Sequence, residues 1–222
     1  MKILALDLST NACSVAVLAD GELSQRLEPG QRPSRQVLQL TDELLHAQGL
    51  SLGDIEAVAF GHGPGAFTGL RIAAGVAQGI ALGRDIPVLG ISSLQALAQV
   101  ALDRHAVDHV AVALDARMDE IYVGRYRRAG DDLAEPLEDD ALMPPDAWET
   151  PDPVPALLAG NGWSAYAGLR QRLSELQCDD SLLPEAAAIA KLALPRLAAG
   201  EGGPPESAIP VYLRDKVAWK SG

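Results

Sequence analysis

Three groups of residues in this chain could do chemistry. Asp7 closes the apolar run KILALD and is followed by Ser9 and Thr10, so a carboxylate and two hydroxyls fall within four positions. That set can ligate a metal-bound phosphate, and it equally describes an Asp in a capping turn. Residues 61–75, GHGPGAFTGLRIAAG, place glycines between a strand-like run and a helix-like run, as phosphate-cradling loops do. His105 and His109 have the H-x-x-x-H spacing of a metal pair.

Each group is tested by what its chemistry requires. A P-loop needs G-x-x-x-x-G-K-[ST], because a Lys must reach the β- and γ-phosphates. No Lys is present here, and the nearest cation, Arg71, already lies in the helical run. GHGPGA does match the dinucleotide pattern G-x-G-x-x-[G/A]. That site also needs an acid at the end of the next strand for the ribose, and that strand ends GISS. His105 and His109 fall at a helix-to-strand junction, where residues four apart need not share a face, so they read as junction histidines. His62 reads as a turn residue. Cys13 and Cys178 stand far apart and form neither a CxxC pair nor a disulfide framework.

The helix that follows the glycine loop suggests a different use for glycine. Gly75, Gly79 and Gly83 recur every four residues and make a flat stripe. Each interior helical glycine costs ~1 kcal/mol relative to Ala, and close approach of another backbone is the usual compensation. Phe67, Leu70, Ile72, Val76, Ile80 and Leu82 make the same helix apolar on nearly every side, which predicts burial on every side. One side is expected on the sheet. The other is covered either by the helix at 34–48 or by a second polypeptide. A candidate interface is therefore Phe67, Leu70, Arg71, Ala74, Gly75, Gln78, Gly79 and Leu82, with Arg71 free to make a salt bridge there or to reach solvent.

The elements that position these groups alternate regularly. Runs 2–9 and 13–20 read as strands joined by the two residues Asn11 and Ala12, and Asp20-Gly21 turns into a third strand. Residues 34–48 read as a helix capped by Ser34 and ended by Gly49, with Val37, Leu40, Leu44 and Leu45 on one face. A strand at 56–61, a helix at 66–84, a strand at 87–92 and a helix at 93–104 follow. The first half is thus β-β-β-α-β-α-β-α. Strands at 109–116 and 120–128 open the second half. The acidic, proline-rich stretch 129–155 reads mostly as loop with at most a strand. A strand at 156–163 ends in a Gly-Asn-Gly turn, and helices follow at 165–175 and 185–199, the latter kinked or shortened by Pro195. The tail IPVYLRDKVAWK is extended and aromatic. The boundary is placed near residue 105, dividing the chain into 1–105 and 106–222.

Composition limits the function classes. A chain of 222 residues with 48% hydrophobic and 22% charged residues can bury a real core. The net charge of −12, from 30 acidic and 18 basic residues, repels a phosphate backbone, so any nucleic acid is expected to be reached through a partner. Residues 66–82 are the most apolar run, but Arg71, Gln78 and three glycines interrupt them and they fall short of ~20 apolar residues, so no membrane span is expected. MKILALDLST lacks the core and cleavage site of a signal peptide, and the expected location is cytoplasmic.

The motifs ILALDLST, GHGPGAFTGLRIAAGVAQGIAL, PVLGISSLQALA, ALDARMDEIYVGRY, LAGNGW and PVYLRDKVAWK together resemble the TsaB family, formerly YeaZ, over nearly the whole chain. The resemblance implies an α/β fold of the actin-like and Hsp70-like kind (ASKHA, ribonuclease H-like), with two lobes of mixed five-stranded sheets flanked by helices. It implies a subunit that pairs with its catalytic paralogue TsaD and with the ATPase TsaE, and forms a homodimer when alone. The complex transfers threonylcarbamoyl to adenosine 37 of tRNAs reading ANN codons, so tRNA is reached indirectly. In the catalytic paralogue a metal is held by H-x-x-x-H, and the matching positions here are Ser93 and Leu97. In actin-like ATPases two D-x-G turns face each other across the phosphates. Here Asp7 is followed by Ser9 and Thr10, with Ser9 in the glycine position, and Asp115 is followed by Arg117 in the other. The resemblance thus implies a pseudoenzyme with no catalytic residue and no metal, needing no cofactor on its own. Asp7, Ser9, Thr10 and Asp115 would be a degenerate phosphate site, with ATP or ADP bound weakly or at a subunit interface. The competing reading is an actin-like ATPase or glycoprotease-type hydrolase acting alone.

Overall fold

Five apolar-rich residues, Ile3–Asp7, form β1, every one of them buried. A strand buried on both faces must lie inside a sheet that is itself covered on both sides. The computed structural model, which describes residues 1–30 and 33–214, shows how that is arranged. β1 pairs antiparallel with β2 (Ala12–Ala19) in the register Ile3↔Leu18 to Asp7↔Ser14. Asp20 and Gly21, both left-handed with φ of 53° and 86°, turn β2 into the edge strand β3 (Glu22–Pro29), as an Asp-Gly hairpin requires. On its other side β1 runs parallel to β4 (Ala57–Gly63), which runs parallel to β5 (Val88–Ser92). The order is β3-β2-β1-β4-β5.

The second half repeats this plan. β6 (His109–Arg117), β7 (Glu120–Arg128) and β8 (Ala134–Pro136) form an antiparallel meander. β9 (Ala141–Met143) pairs back onto β7. β10 (Leu157–Ala159) and β11 (Cys178–Asp179) add in parallel beyond β6. The order β8-β7-β6-β10-β11 reproduces the first sheet strand for strand, and β9 makes this sheet six-stranded where five were expected. The first half has α1 (Pro33–Ala47) between its third and fourth strands. The second half has the acidic, proline-rich segment there instead, with β9 and a short 3-10 turn at Pro145–Ala147.

Two helices are shared between the halves. α3 (Ser93–Arg104) packs on β6, β7 and β8, and α5 (Ala186–Ala198) packs on β1, β2 and β4. They touch each other, and one core joins Ile3, Ala5 and Ile91 to Val110, Val112 and Ile189. Alanines at 186, 190 and 193 let α5 sit close to the first sheet. Pro195 lies in the last turn of α5, and the helix continues to Ala198 instead of ending at the proline. On the outer face of the first sheet lie α1 and α2 (Phe67–Arg84), with Val37, Leu44, Ala73 and Ala77 against Leu4, Leu6 and Val58. On the outer face of the second, α4 (Ala167–Arg172) packs beside Trp148 and Trp163, whose rings meet edge to face at 4.8 Å. The five layers, α/β/α/β/α with two sheets of one topology, are the expected actin-like architecture.

The β1–β2 connection differs from the two-residue turn read from sequence. It spans residues 8–11, because Asp7 Oδ1 accepts hydrogen bonds from the Ser9 backbone N–H (3.0 Å) and from Ser9 Oγ (2.8 Å). A carboxylate that captures the donor two residues on closes a local turn and ends the strand early.

Candidate functional site

The two β1–β2-type hairpins, one per sheet, face a cleft of about 710 Å³ between the halves. From the first come Ser9, Thr10 and Asn11; from the second, Leu114, Asp115, Ala116 and Arg117. Asp7 is not among the lining residues. It is 1% exposed, and a Cβ placed on Gly61 would overlap its Oδ2 and lie 3.3 Å from Ile189 Cδ1. The carboxylate therefore points into the layer between β4 and α5. Its Oδ2 has no hydrogen-bond partner among the described residues. Burial without a compensating cation pushes its pKa up to about 7, opposed in part by the two bonds from Ser9. Of the four phosphate-site candidates, the cleft brings together Ser9, Thr10 and Asp115.

Asp115 is already committed. Its Oδ1 accepts from the Arg117 N–H (2.9 Å) and the Tyr166 hydroxyl (3.1 Å), and its Oδ2 lies 3.0 Å from the Arg117 guanidinium. Arg117, Met118 and Asp119 are all left-handed, with φ of 62°, 58° and 59°, a rare run for residues with side chains. The turn lifts the Arg117 side chain out into solvent at the cleft.

The glycine-rich loop serves the first hairpin. A Cβ on Gly65 would overlap Ser9 O, and one on Gly69 would overlap Leu8 O, while Ala66 N donates to Ser9 O at 2.7 Å. Gly63 has φ 119°, open only to glycine. These glycines let the β4–α2 loop and the start of α2 seat the backbone of residues 8–9.

Ser93 and Leu97 are both fully buried in the core between the sheets. His105 Nε2 lies 3.0 Å from Asp179 Oδ2, a hydrogen bond across to β11. His62 is largely buried, and desolvation, with Arg196 second, brings its pKa down to about 4, so it is neutral at pH 7. Burial, the Asp7 charge and the Glu28 charge raise the Cys13 thiol to about 11, which makes it unreactive. Among the described residues, no group of three His, Cys, Asp or Glu side chains is placed to hold a metal ion. Among the same residues, no helix is long and apolar enough to cross a membrane.

The second candidate site is the outer edge of α2. Phe67, Arg71, Gly75, Gly79 and Leu82 are exposed and Gln78 is half-buried, whereas Leu70 and Ala74 face inward into the chain's own core. A Cβ on Gly75, Gly79 or Gly83 would meet nothing within 4 Å. The all-round burial expected of this helix is thus not supplied by the described residues, and α1 leaves the glycine edge uncovered. Arg71 makes no salt bridge among the described residues. Its Cζ stacks 3.7 Å from the Phe67 ring centre, and its Nε donates to the Tyr212 hydroxyl at 2.9 Å. Tyr212, Tyr122, Asn161 and Arg214 also line the cleft, and sequence reading missed all four. For Tyr212 and Arg214 the signal was the aromatic, basic tail, which has no periodicity to say where it docks; nothing in the sequence singled out Tyr122 or Asn161 for the cleft. Its residues 215–220 lie outside the described residues.

A sequence profile of the TsaD family, described as tRNA N6-adenosine threonylcarbamoyltransferase, matches residues 30–220. The "tRNA threonylcarbamoyladenosine biosynthesis protein TsaB" of Escherichia coli is 38% identical, covering 99% of this chain and 97% of that protein. The protein of the same name from Haemophilus influenzae is also 38% identical, covering 99% and 96%. The solved structure of YeaZ from Pseudomonas aeruginosa superposes with a TM-score of 0.86 at 40% identity, covering 96% of this chain and 99% of that one.

Proposed function

This chain belongs to the TsaB family of tRNA threonylcarbamoyladenosine biosynthesis proteins, and from that premise we propose that it is a non-catalytic subunit. On this reading it works in the cytoplasm, pairs with TsaD through the outer edge of α2, and is joined by TsaE. It supports threonylcarbamoyl transfer to adenosine 37 of tRNA without touching the substrate base. Alone, it uses the same edge to form a homodimer. The net charge of −12 supports tRNA contact through the partner.

The observation that carries the non-catalytic reading is the direction of Asp7. An actin-like ATPase needs that carboxylate in the cleft to hold a metal-bound phosphate. Here it is turned into the core, and the facing Asp115 is bonded to Arg117 and Tyr166. The docking edge is supported by the glycine stripe, which no part of the described chain covers.

The test is reconstitution with TsaD and TsaE and a threonylcarbamoyl-transfer assay with and without this chain. Gly75→Leu and Gly79→Leu supply the control, because a Cβ at either position meets no atom of the described residues within 4 Å. Both variants are expected to fold as the parent does, to lose TsaD in pull-down, and to leave transfer at the level seen without this chain. Undiminished transfer and pull-down in both variants refute the docking edge. Micromolar ATP binding with turnover by the isolated chain refutes the non-catalytic reading and favours the ATPase.

A further inference from the structure

Residues 209–214 run from one wall of the cleft to the other. Val211 N donates to His62 O on β4 at 2.8 Å, which ties the segment to the first sheet. The next residue, Tyr212, receives the Arg71 Nε hydrogen bond, and its ring lies 5.3 Å from that of Phe67, so it is fixed to the first turns of α2. Two residues on, Arg214 reaches the other side. Its Nη2 donates to the carbonyls of Ala116 (3.2 Å) and Arg117 (3.3 Å) and lies 2.5 Å from the Glu120 carboxylate. These acceptors lie in and beside the left-handed turn between β6 and β7, and two carbonyls and one carboxylate converge there on the one guanidinium. The Arg214 side chain is only 16% exposed, so this pair is screened by water far less than an ordinary surface pair.

We infer that residues 209–214 are a strap across the mouth of the cleft, latched at Tyr212 to α2 and at Arg214 to the β6–β7 turn, and that releasing one latch loosens the other and opens the cleft. Tyr212 and Arg214 both line the cavity, so the strap is part of its wall. The elements it joins, β4 and α2 on one side and the β6–β7 hairpin on the other, belong to different sheet layers, and their relative position sets the width of the space between Ser9 and Arg117. Phe67 and Arg71, which hold Tyr212, are also on the exposed edge of α2. A partner seated on that edge would therefore press on the first latch, a link that rests on the docking reading above. The latches themselves rest on the contacts alone.

The experiment uses the isolated chain, so its failure is separate from any failure of partner docking. Amide exchange of Val211 is measured by NMR in the parent, Arg214→Ala, Glu120→Gln and Tyr212→Phe. Thiol-labelling rates are measured at a Thr10→Cys probe on the cleft wall in each background. None of these substitutions touches the Val211–His62 hydrogen bond. Arg214→Ala is expected to speed both Val211 exchange and labelling of the cleft-wall thiol at least tenfold while the β1 amides keep their protection. Glu120→Gln removes the charge from one contact, Tyr212→Phe removes one hydrogen bond, and each is expected to give a severalfold rise. If Arg214→Ala also loosens β1, the two milder variants decide by the same criterion. Val211 exchange or cleft-wall labelling that stays within twofold of the parent means that the two ends are independent, and the strap is refuted.

Discussion

Asp7→Asn separates a buried acid from a cleft ligand by the pH dependence of stability. Burial raises the Asp7 pKa from 3.8 to about 7 in the folded chain. The ionised form is therefore disfavoured by folding, and its contribution has a fixed sign. Stability is fully present below the unfolded-state pKa near 4, falls as pH rises between about 4 and 7, and is level above. A shift of about three units corresponds to roughly 4 kcal/mol over that window. Asn keeps the acceptor for the Ser9 N–H and Oγ–H but cannot ionise. Its amide hydrogens replace an oxygen that has no partner, at a pH-independent cost of about 1–3 kcal/mol. The diagnostic is thus the difference between variant and parent. It should rise in the variant's favour by several kcal/mol from pH 4 to pH 8, whatever its offset. Urea unfolding at half-unit steps measures it, and the His62 titration, present in both proteins, cancels. A difference flat to within ~0.5 kcal/mol over this range would place the carboxylate in water and remove the argument that it has left the cleft.

Three further outcomes follow from the packing. Gly61→Ala puts a methyl group onto Asp7 Oδ2 and is expected to cost about 1–3 kcal/mol, with most of that loss recovered in the Asp7→Ala background; additive losses in urea unfolding would contradict it. Ser92→Ala removes the α3 cap, which accepts from Leu94 N and Gln95 N, and also takes a donor from Asp140 Oδ2. The expected loss is about 1–3 kcal/mol, and a change under ~0.3 kcal/mol would show that the Ser92–Asp140 contact does not hold the acidic segment to the helix. Gly79→Ala, on the open edge of α2, is expected to stabilise the monomer by up to ~1 kcal/mol when the same assay is run at a concentration too low for self-association, and a loss of stability there would mean that something in the chain covers that edge.

Local signals gave the element order, and α3 and β7 run over the same residues in sequence and structure. Apolar periodicity and the Asp20-Gly21 turn are local, and local signals suffice for elements. The direction of a side chain is set by its distant neighbours. Asp7 turns inward because Gly61 and Ile189 leave a space there, and neither is near it in sequence. The replacement of an α1 counterpart by the segment around β9 was also hidden, since a loop that docks through Asp140 and Trp148 has no period to read. The tail gave composition without position, so Tyr212 and Arg214 could not be assigned to the cleft.

The glycines of residues 61–83 show how a single cost can have two different causes. In β4, the loop after it and the first turn of α2, a Cβ at 61, 65 or 69 overlaps Asp7, Ser9 or Leu8 respectively, so the chain's own hairpin requires the glycine. At 75, 79 and 83 a Cβ meets nothing, so the chain carries a helix penalty of up to ~1 kcal/mol per interior site that no contact among the described residues offsets. Packing among the described residues gives no reason for those three glycines. Gly79→Ala and Gly79→Leu together make the point testable in one series. If the glycines serve the fold, both substitutions destabilise the chain. If they serve an approaching backbone, Ala leaves the monomer as stable or more so, while Leu leaves it folded and blocks the partner. Retention of TsaD by Gly79→Leu, with the helix intact, would leave the stripe without a function on either account.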